Sequence, residues 1–148
     1  MNILNKTWPH IPIPKIKNIK IFEIDQYKSI IAIESLVGVL INNDTIIPFL
    51  GKTETIAKFP SVTVDSGSIK YICNGAKVLR PGIVKFDDFD KNEIVVVKDE
   101  KFSKYLAAGI ALEGSEGVKI MEKGYVVNNL HYVGDKVWDA YKEISFRL

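Results

Sequence analysis

Apolar and polar residues alternate along most of this chain, and the alternation predicts a succession of short strands with one early change to a helical period. Ile19, Ile21 and Ile24, then Ile30-Ile31-Ala32-Ile33 and Val37 to Ile41, read as strands. Asn42-Asn43-Asp44 is turn chemistry and Thr45 to Leu50 returns as an apolar run, so Leu36 to Leu50 predicts a hairpin. Gly51 to Phe59 predicts one or two helical turns with Thr53 as cap, stopped by Pro60. Ahead of all this, residues 1 to 18 carry Trp8-Pro9-His10 and Ile11-Pro12-Ile13-Pro14, which forbid a helix interior and predict an extended arm packed on an edge.

The helical period appears between residues 62 and 83. Val62 and Val64 alternate with polar neighbours as a strand does, and Asp65-Ser66-Gly67 suits a turn or a helix N-cap. Ile69, Ile72, Cys73 and Ala76 then fall at i, i+3, i+4 and i+7, which predicts a helix from Ser68 to Ala76 with Lys70, Asn74 and Lys77 on its other side. Asn74-Gly75 stops that helix, and Pro81-Gly82 marks a second turn. The product is a small helix ending in a glycine loop that carries Lys77 and Arg80.

Beyond it, Ile83 to Phe86 predicts a strand, and Asp87 to Asn92 a charged turn. The continuous run Glu93 to Val97 predicts a strand buried on both faces. Lys98 to Lys104 loops, and Leu106 to Leu112 is a strand in which Gly109 signals a bulge or a close backbone approach. Gly114-Ser115-Glu116-Gly117 reads as a flexible turn, Gly124 to Leu130 as a strand, and His131 to Trp138 as the end of the sheet. Short strands with turns at roughly 8 to 12 residue spacing predict a small closed or nearly closed barrel. The chain is expected to be mainly β with short helices: a small α+β N-terminal domain over 1–59 and a barrel domain over 60–148.

Composition narrows the function. With 148 residues, 47% of them apolar, and a formal net charge of only +2, the chain can fill a core, and any nucleic-acid site must be a local basic patch. Such a patch exists: from Phe59 to Phe86, Lys70, Lys77, Arg80 and Lys85 face Asp65 alone. From Asp87 to Glu100 the balance reverses, with Asp87, Asp88, Asp90, Glu93, Asp99 and Glu100 against Lys91 and Lys98. The single cysteine, Cys73, sits on the apolar helical face and has no internal partner, which fits a reducing cytoplasm. The N-terminus lacks the apolar core of a secretory signal, and Ile30 to Ile41, with Glu34 inside it, is too short for the roughly 20 residues a membrane helix needs. Only His10 and His131 could serve as bases, and no nucleophile elbow accompanies Ser66, His131 and Asp135. No metal-ligand spacing and no phosphate-binding glycine fingerprint occurs, so neither a metal nor a cofactor is expected.

The order of four segments is specific. Val64-Asp65-Ser66-Gly67-Ser68-Ile69-Lys70, then Asn74-Gly75-Ala76-Lys77-Val78-Leu79-Arg80-Pro81-Gly82-Ile83, Leu106 to Leu112, and His131-Tyr132-Val133-Gly134-Asp135-Lys136-Val137-Trp138 resemble a PUA domain. This is the RNA-binding module of pseudouridine synthases and archaeosine transglycosylases. A short domain ahead of it makes the chain similar to the malignant-T-cell-amplified-sequence type of translation factor, and Leu40 to Leu50 resembles the end of that family's first domain, with Phe49 where relatives have Thr. The resemblance implies a PUA pseudo-barrel and a non-catalytic protein that holds structured RNA, the acceptor end of tRNA or an rRNA element.

Candidate RNA-binding residues are Lys70, Asn74, Gly75, Ala76, Lys77, Arg80, Pro81, Gly82, Gly134, Asp135 and Lys136. The small Gly75-Ala76 forms a floor that lets backbone approach, Lys77 and Arg80 reach phosphates, and Lys136 lies in what PUA domains use as the last strand. Arg80→Ala is expected to weaken binding without unfolding the domain. The alternative is an adaptor subunit that docks a ribosomal or translation-factor partner through its acidic edge and N-terminal arm.

Overall fold

The computed structural model describes Trp8 and residues 19–145. The expected Pro-rich arm, His10 included, lies outside the described residues apart from Trp8. Two compact units result: Trp8, 19–58 and 136–145 form one, and Phe59–Asp135 the other.

The first unit is an antiparallel meander of β1 (Ile19–Glu23), β2 (Lys28–Ile33), β3 (Leu36–Ile41) and β4 (Thr45–Pro48), in that order. The β3–β4 hairpin turns through Asn42 and Asn43, both at positive φ, a conformation Asn tolerates better than other side chains. Ile30, Val39, Ile47 and Phe49 are buried in this unit, and the Trp8 indole donates to the Ile46 carbonyl at 2.7 Å. The helix α1 (Thr53–Ile56) starts at its expected cap residue, one position early, because Lys52 holds the N-cap position and makes no side-chain bond there.

The second unit carries β5 (Ser61–Val64), a 3-10 turn at Ser66–Ser68, α2 (Ile69–Ile72), β6 (Val78–Leu79) and a 3-10 turn at Arg80–Gly82. After these come β7 (Ile83–Phe86), β8 (Ile94–Asp99), β9 (Tyr105–Ala111), α3 (Ser115–Ile120) and β10 (Tyr125–Tyr132). The strand order is β6-β10-β9-β8-β5-β7, with β5 and β8 parallel and every other pair antiparallel, and the sheet curls into a nearly closed pseudo-barrel. Its core holds Val62 and Val64 from β5, Val95 and Val97 from β8, and Val126 and Val127 from β10. The run Ile94 to Val97 is buried throughout, as a strand covered on both sides must be. A parallel pair needs a crossover, and the β5–β8 crossover is the segment that carries α2, the glycine loop and β6.

Three expectations change. The helix expected over Ser68 to Ala76 is confined to Ile69–Ile72, because the chain tightens into a 3-10 turn before it and turns left-handed at Gly75 after it. The expected flexible turn at Gly114 to Gly117 opens α3: Val118 is buried in the core, and Ser115 exchanges bonds with Phe89, its amide donating to the Phe89 carbonyl at 2.8 Å. The third concerns His131 to Trp138. The sheet ends at Tyr132, and Lys136 opens the helix α4 (Lys136–Ile144), where Val137, Tyr141 and Ile144 share a face at i, i+4 and i+7. This helix groups with the N-terminal unit, where Trp138 and Tyr141 pack on Phe49 with ring centroids 5.8 and 4.3 Å away.

The acidic edge is also narrower than its sequence. Asp87 accepts from the Ser61 amide and hydroxyl at 2.8 and 3.0 Å. Asp99 is buried and accepts from the Phe102 and Lys104 amides, and the Phe102 amide foremost holds its carboxyl below the ordinary aspartate value. Asp88, Asp90, Glu93 and Glu100 remain in solvent.

Candidate nucleic-acid interface

The site is built outward from Asp65. Its carboxylate accepts from the Ser68 amide at 3.0 Å and the Ser68 hydroxyl at 2.8 Å, so a side chain fixes the start of the turn that leads into α2. The Asp65 amide donates to the Gly82 carbonyl at 2.9 Å, which brings the 80–82 turn against the same corner. A Cβ at Gly82 would lie 2.5 Å from the Ser68 hydroxyl, so a larger residue there would have to turn that hydroxyl off Asp65.

At the other end of α2, the chain reverses at Gly75 with φ +94°, which glycine reaches without the steric penalty other residues meet. The Tyr132 ring lies 3.3 Å from where a Cβ would stand, so the loop rests directly on that ring. Asn129 of β10 ties the loop down. Its Nδ2 donates to the Ile72 carbonyl at 3.0 Å, which also accepts from the Gly75 amide at 3.1 Å, and to the Ala76 carbonyl at 3.1 Å. Its Oδ1 is buried without a partner among the described residues.

On this frame the expected residues separate into two groups. Lys70, Asn74, Ala76, Lys77 and Pro81 are exposed, and Gly75 is half-buried between them. The Lys70 ammonium lies over the Tyr71 ring, 5.1 Å from its centroid, and that of Lys77 over Tyr125 at 5.4 Å. Arg80 is engaged by the fold: its Nε donates to the Val118 carbonyl at 2.8 Å, its Nη1 to the Ile83 carbonyl at 3.3 Å, and its guanidinium sits 5.6 Å from the Phe86 ring centroid. These bonds use two of its five donors.

Gly134 is exposed at φ +92° with open space where a Cβ would go. Asp135, beside it, is turned inward. Its Oδ2 accepts from the Tyr132 amide at 2.9 Å and from His131 Nδ1 at 2.8 Å, and both His131 and Asp135 are buried. A carboxylate only accepts, which assigns the Nδ1 proton to the imidazole. Asp135 thus shapes the Gly134 turn from beneath. His131, 0% exposed, is out of reach of a dissolved substrate. Lys136 belongs to the other unit, as the first residue of α4.

Sequence reasoning missed Asn129, and also Tyr71, Leu79 and Tyr125, whose side chains are 58, 50 and 56% exposed around the same loop. Asn129 was readable in principle, since Asn is disfavoured in strands and needs a reason to be there. Replacing it with Leu is expected to cost about 1 kcal/mol by removing its bonds to the two carbonyls, read in urea unfolding, and to shorten the protection of the Gly75 to Lys77 amides in hydrogen exchange. Among the described residues no three His, Cys, Asp or Glu side chains group as metal ligands, and no helix is long and apolar enough to cross a membrane.

Residues 60–133 match the PUA domain family. The chain belongs to that family. It is 39% identical over 129 residues to an uncharacterized protein of Methanocaldococcus jannaschii, covering 86% of this chain and 79% of the relative. It is 27% identical over 135 residues to translation machinery-associated protein 20 of Saccharomyces cerevisiae, covering 86% and 75%. To malignant T-cell-amplified sequence 2 of Homo sapiens it is 28% identical over 99 residues, 62% of this chain and 55% of that one. Among solved structures, a hypothetical protein of Pyrococcus horikoshii superposes with a TM-score of 0.77 at 28% identity, over 94% of this chain and 90% of that one. The matched residues include the parallel crossover that displays α2, the glycine loop, Lys70 and Lys77.

Proposed function

We propose that this protein is a non-catalytic RNA-binding protein of the translation machinery, in the cytoplasm, that holds structured RNA through the face formed by α2, the glycine loop and β6. The carrying observation is that Lys70 and Lys77 are exposed on either side of a loop floored by Gly75 and Ala76, in a region whose only nearby sequence acid, Asp65, is spent on capping. Small residues admit a nucleic-acid backbone, and the two ammonium groups meet its phosphates. Phe59–Asp135 is the RNA-binding domain in this reading, and the residues before it together with α4 form a small second unit that offers a surface to the ribosome or a translation factor. The names of the yeast and human relatives support a place in translation. The acceptor end of tRNA or an rRNA element is the RNA class.

An adaptor role has one observation in its favour, the open hollow lined by Asp88, Asp90, Glu93 and Glu116. Paired charge reversals separate the two. Lys77→Glu is expected to weaken RNA binding at least tenfold in a filter or anisotropy assay, since it replaces an attraction with a repulsion worth more than 1.4 kcal/mol together. Asp88→Lys is expected to leave that affinity unchanged. RNA affinity indifferent to Lys77→Glu would remove the face from the account.

A further inference from the structure

We propose that Asn74 is a site of spontaneous deamidation, in which the Gly75 amide nitrogen cyclises onto the Asn74 side chain and leaves a carboxylate on the exposed glycine loop. The modification stands on the chemistry and geometry of the loop alone. Its consequence rests on the RNA reading above, because the new charge arises on the stretch of chain between Lys70 and Lys77.

Asn74 is the one asparagine of the chain that precedes glycine. An asparagine side chain places its amide carbon within reach of the next residue's backbone nitrogen, and a Cβ on that next residue crowds the approach. Glycine removes the crowding and opens backbone conformations closed to other residues. Asn74 is exposed, and its side chain makes no hydrogen bond among the described residues. Asn129, by contrast, precedes Leu130 and commits its amide to two carbonyls.

The reaction needs only water. A base removes the Gly75 amide proton, the nitrogen forms a bond to Asn74 Cγ, and the bond from Cγ to Nδ2 breaks, so that ammonia leaves and a succinimide ring remains. Water then adds to either ring carbonyl and opens the ring. One opening gives aspartate on the original backbone, and the other gives isoaspartate, with the chain rerouted through the side-chain carbon. Overall, an amide and a water become a carboxylate and an ammonium ion. Lys70 and Lys77, both exposed, favour the anionic nitrogen on which the rate depends.

The fold sets the pace. The Gly75 amide donates to the Ile72 carbonyl at 3.1 Å, and that bond must open before the nitrogen can attack. Asn129 Nδ2 holds the same Ile72 carbonyl at 3.0 Å and the Ala76 carbonyl at 3.1 Å, so it restrains the reacting loop on both sides of Gly75. Local opening of the loop is therefore the gate. Once formed, the carboxylate at position 74 faces the phosphates that the two lysines attract, and the protein has no means of reversing it.

The test incubates the full chain at neutral pH and in mild alkali and follows residue 74 by peptide mass mapping, with the two isomeric products separated by chromatography. Asn74 is expected to convert before any other asparagine, faster in alkali, and faster still in Asn129→Leu. Asn74→Gln, whose longer side chain closes its ring far more slowly, is expected to stay unmodified. Fluorescence anisotropy with deacylated tRNA reads the consequence. Asn74→Asp is expected to bind about 3- to 10-fold more weakly than wild type, and Asn74→Gln as wild type does, with thermal midpoints unchanged. An Asn74 that stays intact while other asparagines react, or a rate that Asn129→Leu does not raise, overturns the site. If Asn74→Asp binds as wild type does while Lys77→Glu binds weakly, the consequence falls and the RNA reading stands. If neither variant weakens binding, the RNA face falls, and the mass reading alone decides the modification.

Discussion

Asp135→Ala is expected to destabilise the second unit by about 3–5 kcal/mol, the largest single loss among the residues of the site. The carboxylate satisfies two donors in a place where water does not substitute: the Tyr132 amide and His131 Nδ1, the latter on a fully buried imidazole. Removing it leaves both donors short of that acceptor, each at a desolvation cost of about 1–3 kcal/mol. Against a typical domain stability of about 5–15 kcal/mol this is a large share. Urea unfolding followed by circular dichroism, with hydrogen exchange of the β9 and β10 amides to read the second unit itself, measures it. Asp135→Asn keeps an acceptor in place and is expected to fall between wild type and Asp135→Ala. A stability loss below about 0.5 kcal/mol for Asp135→Ala would mean that the buried pair contributes nothing net. A family position that looks like a ligand contact in the sequence is thus, in this fold, a support for one.

Arg80→Ala is expected to lower stability by about 2–3 kcal/mol in addition to any effect on RNA. Its guanidinium bonds two backbone carbonyls, Val118 at the end of α3 and Ile83 at the start of β7, and packs near Phe86. It therefore clips the 80–82 turn to α3, 38 residues further along the chain. Lysine cannot reproduce a planar fork, so Arg80→Lys is expected to keep the charge and with it most of the RNA affinity, while its thermal midpoint stays close to that of Arg80→Ala. A normal midpoint for Arg80→Ala would contradict the clip and return Arg80 to the group of simple phosphate contacts.

The parts of the fold that were legible are those where one physical requirement dominates. Glu93 to Val97 reads as a strand buried on both faces, Asn42-Asn43-Asp44 as a turn, and Asp65-Ser66-Gly67 as a turn or an N-cap. Segments 114–117 and 136–144 were misread because two signals competed there. Gly114 and Gly117 bracket Ser115-Glu116 and suggest a turn, yet Val118 belongs in the core and Ser115 locks onto Phe89, so packing overrides the weak helix propensity of glycine. In the last segment the helical spacing of Val137, Tyr141 and Ile144 was present, but the strand-like His131-Tyr132-Val133 drew the reading of the whole stretch with it.

The site was half legible for a related reason. Residue type marks which side chains can meet RNA, but not which are already committed to the fold. Lys70 and Lys77 project into solvent, whereas Arg80 and Asp135 hold the loop and the turn in place. Asn129, far away in sequence, ties down the carbonyls of Ile72 and Ala76 through a contact that no local pattern records.

Binding of the purified protein to deacylated tRNA, with and without its 3′ single-stranded end, at two salt concentrations, tests the central claim most directly. The account predicts binding that weakens with salt along a shallow slope, because few lysines take part, and that is lost when the 3′ end is removed. No binding to either RNA at low salt would contradict the acceptor-end reading and leave an rRNA element or the adaptor role in its place.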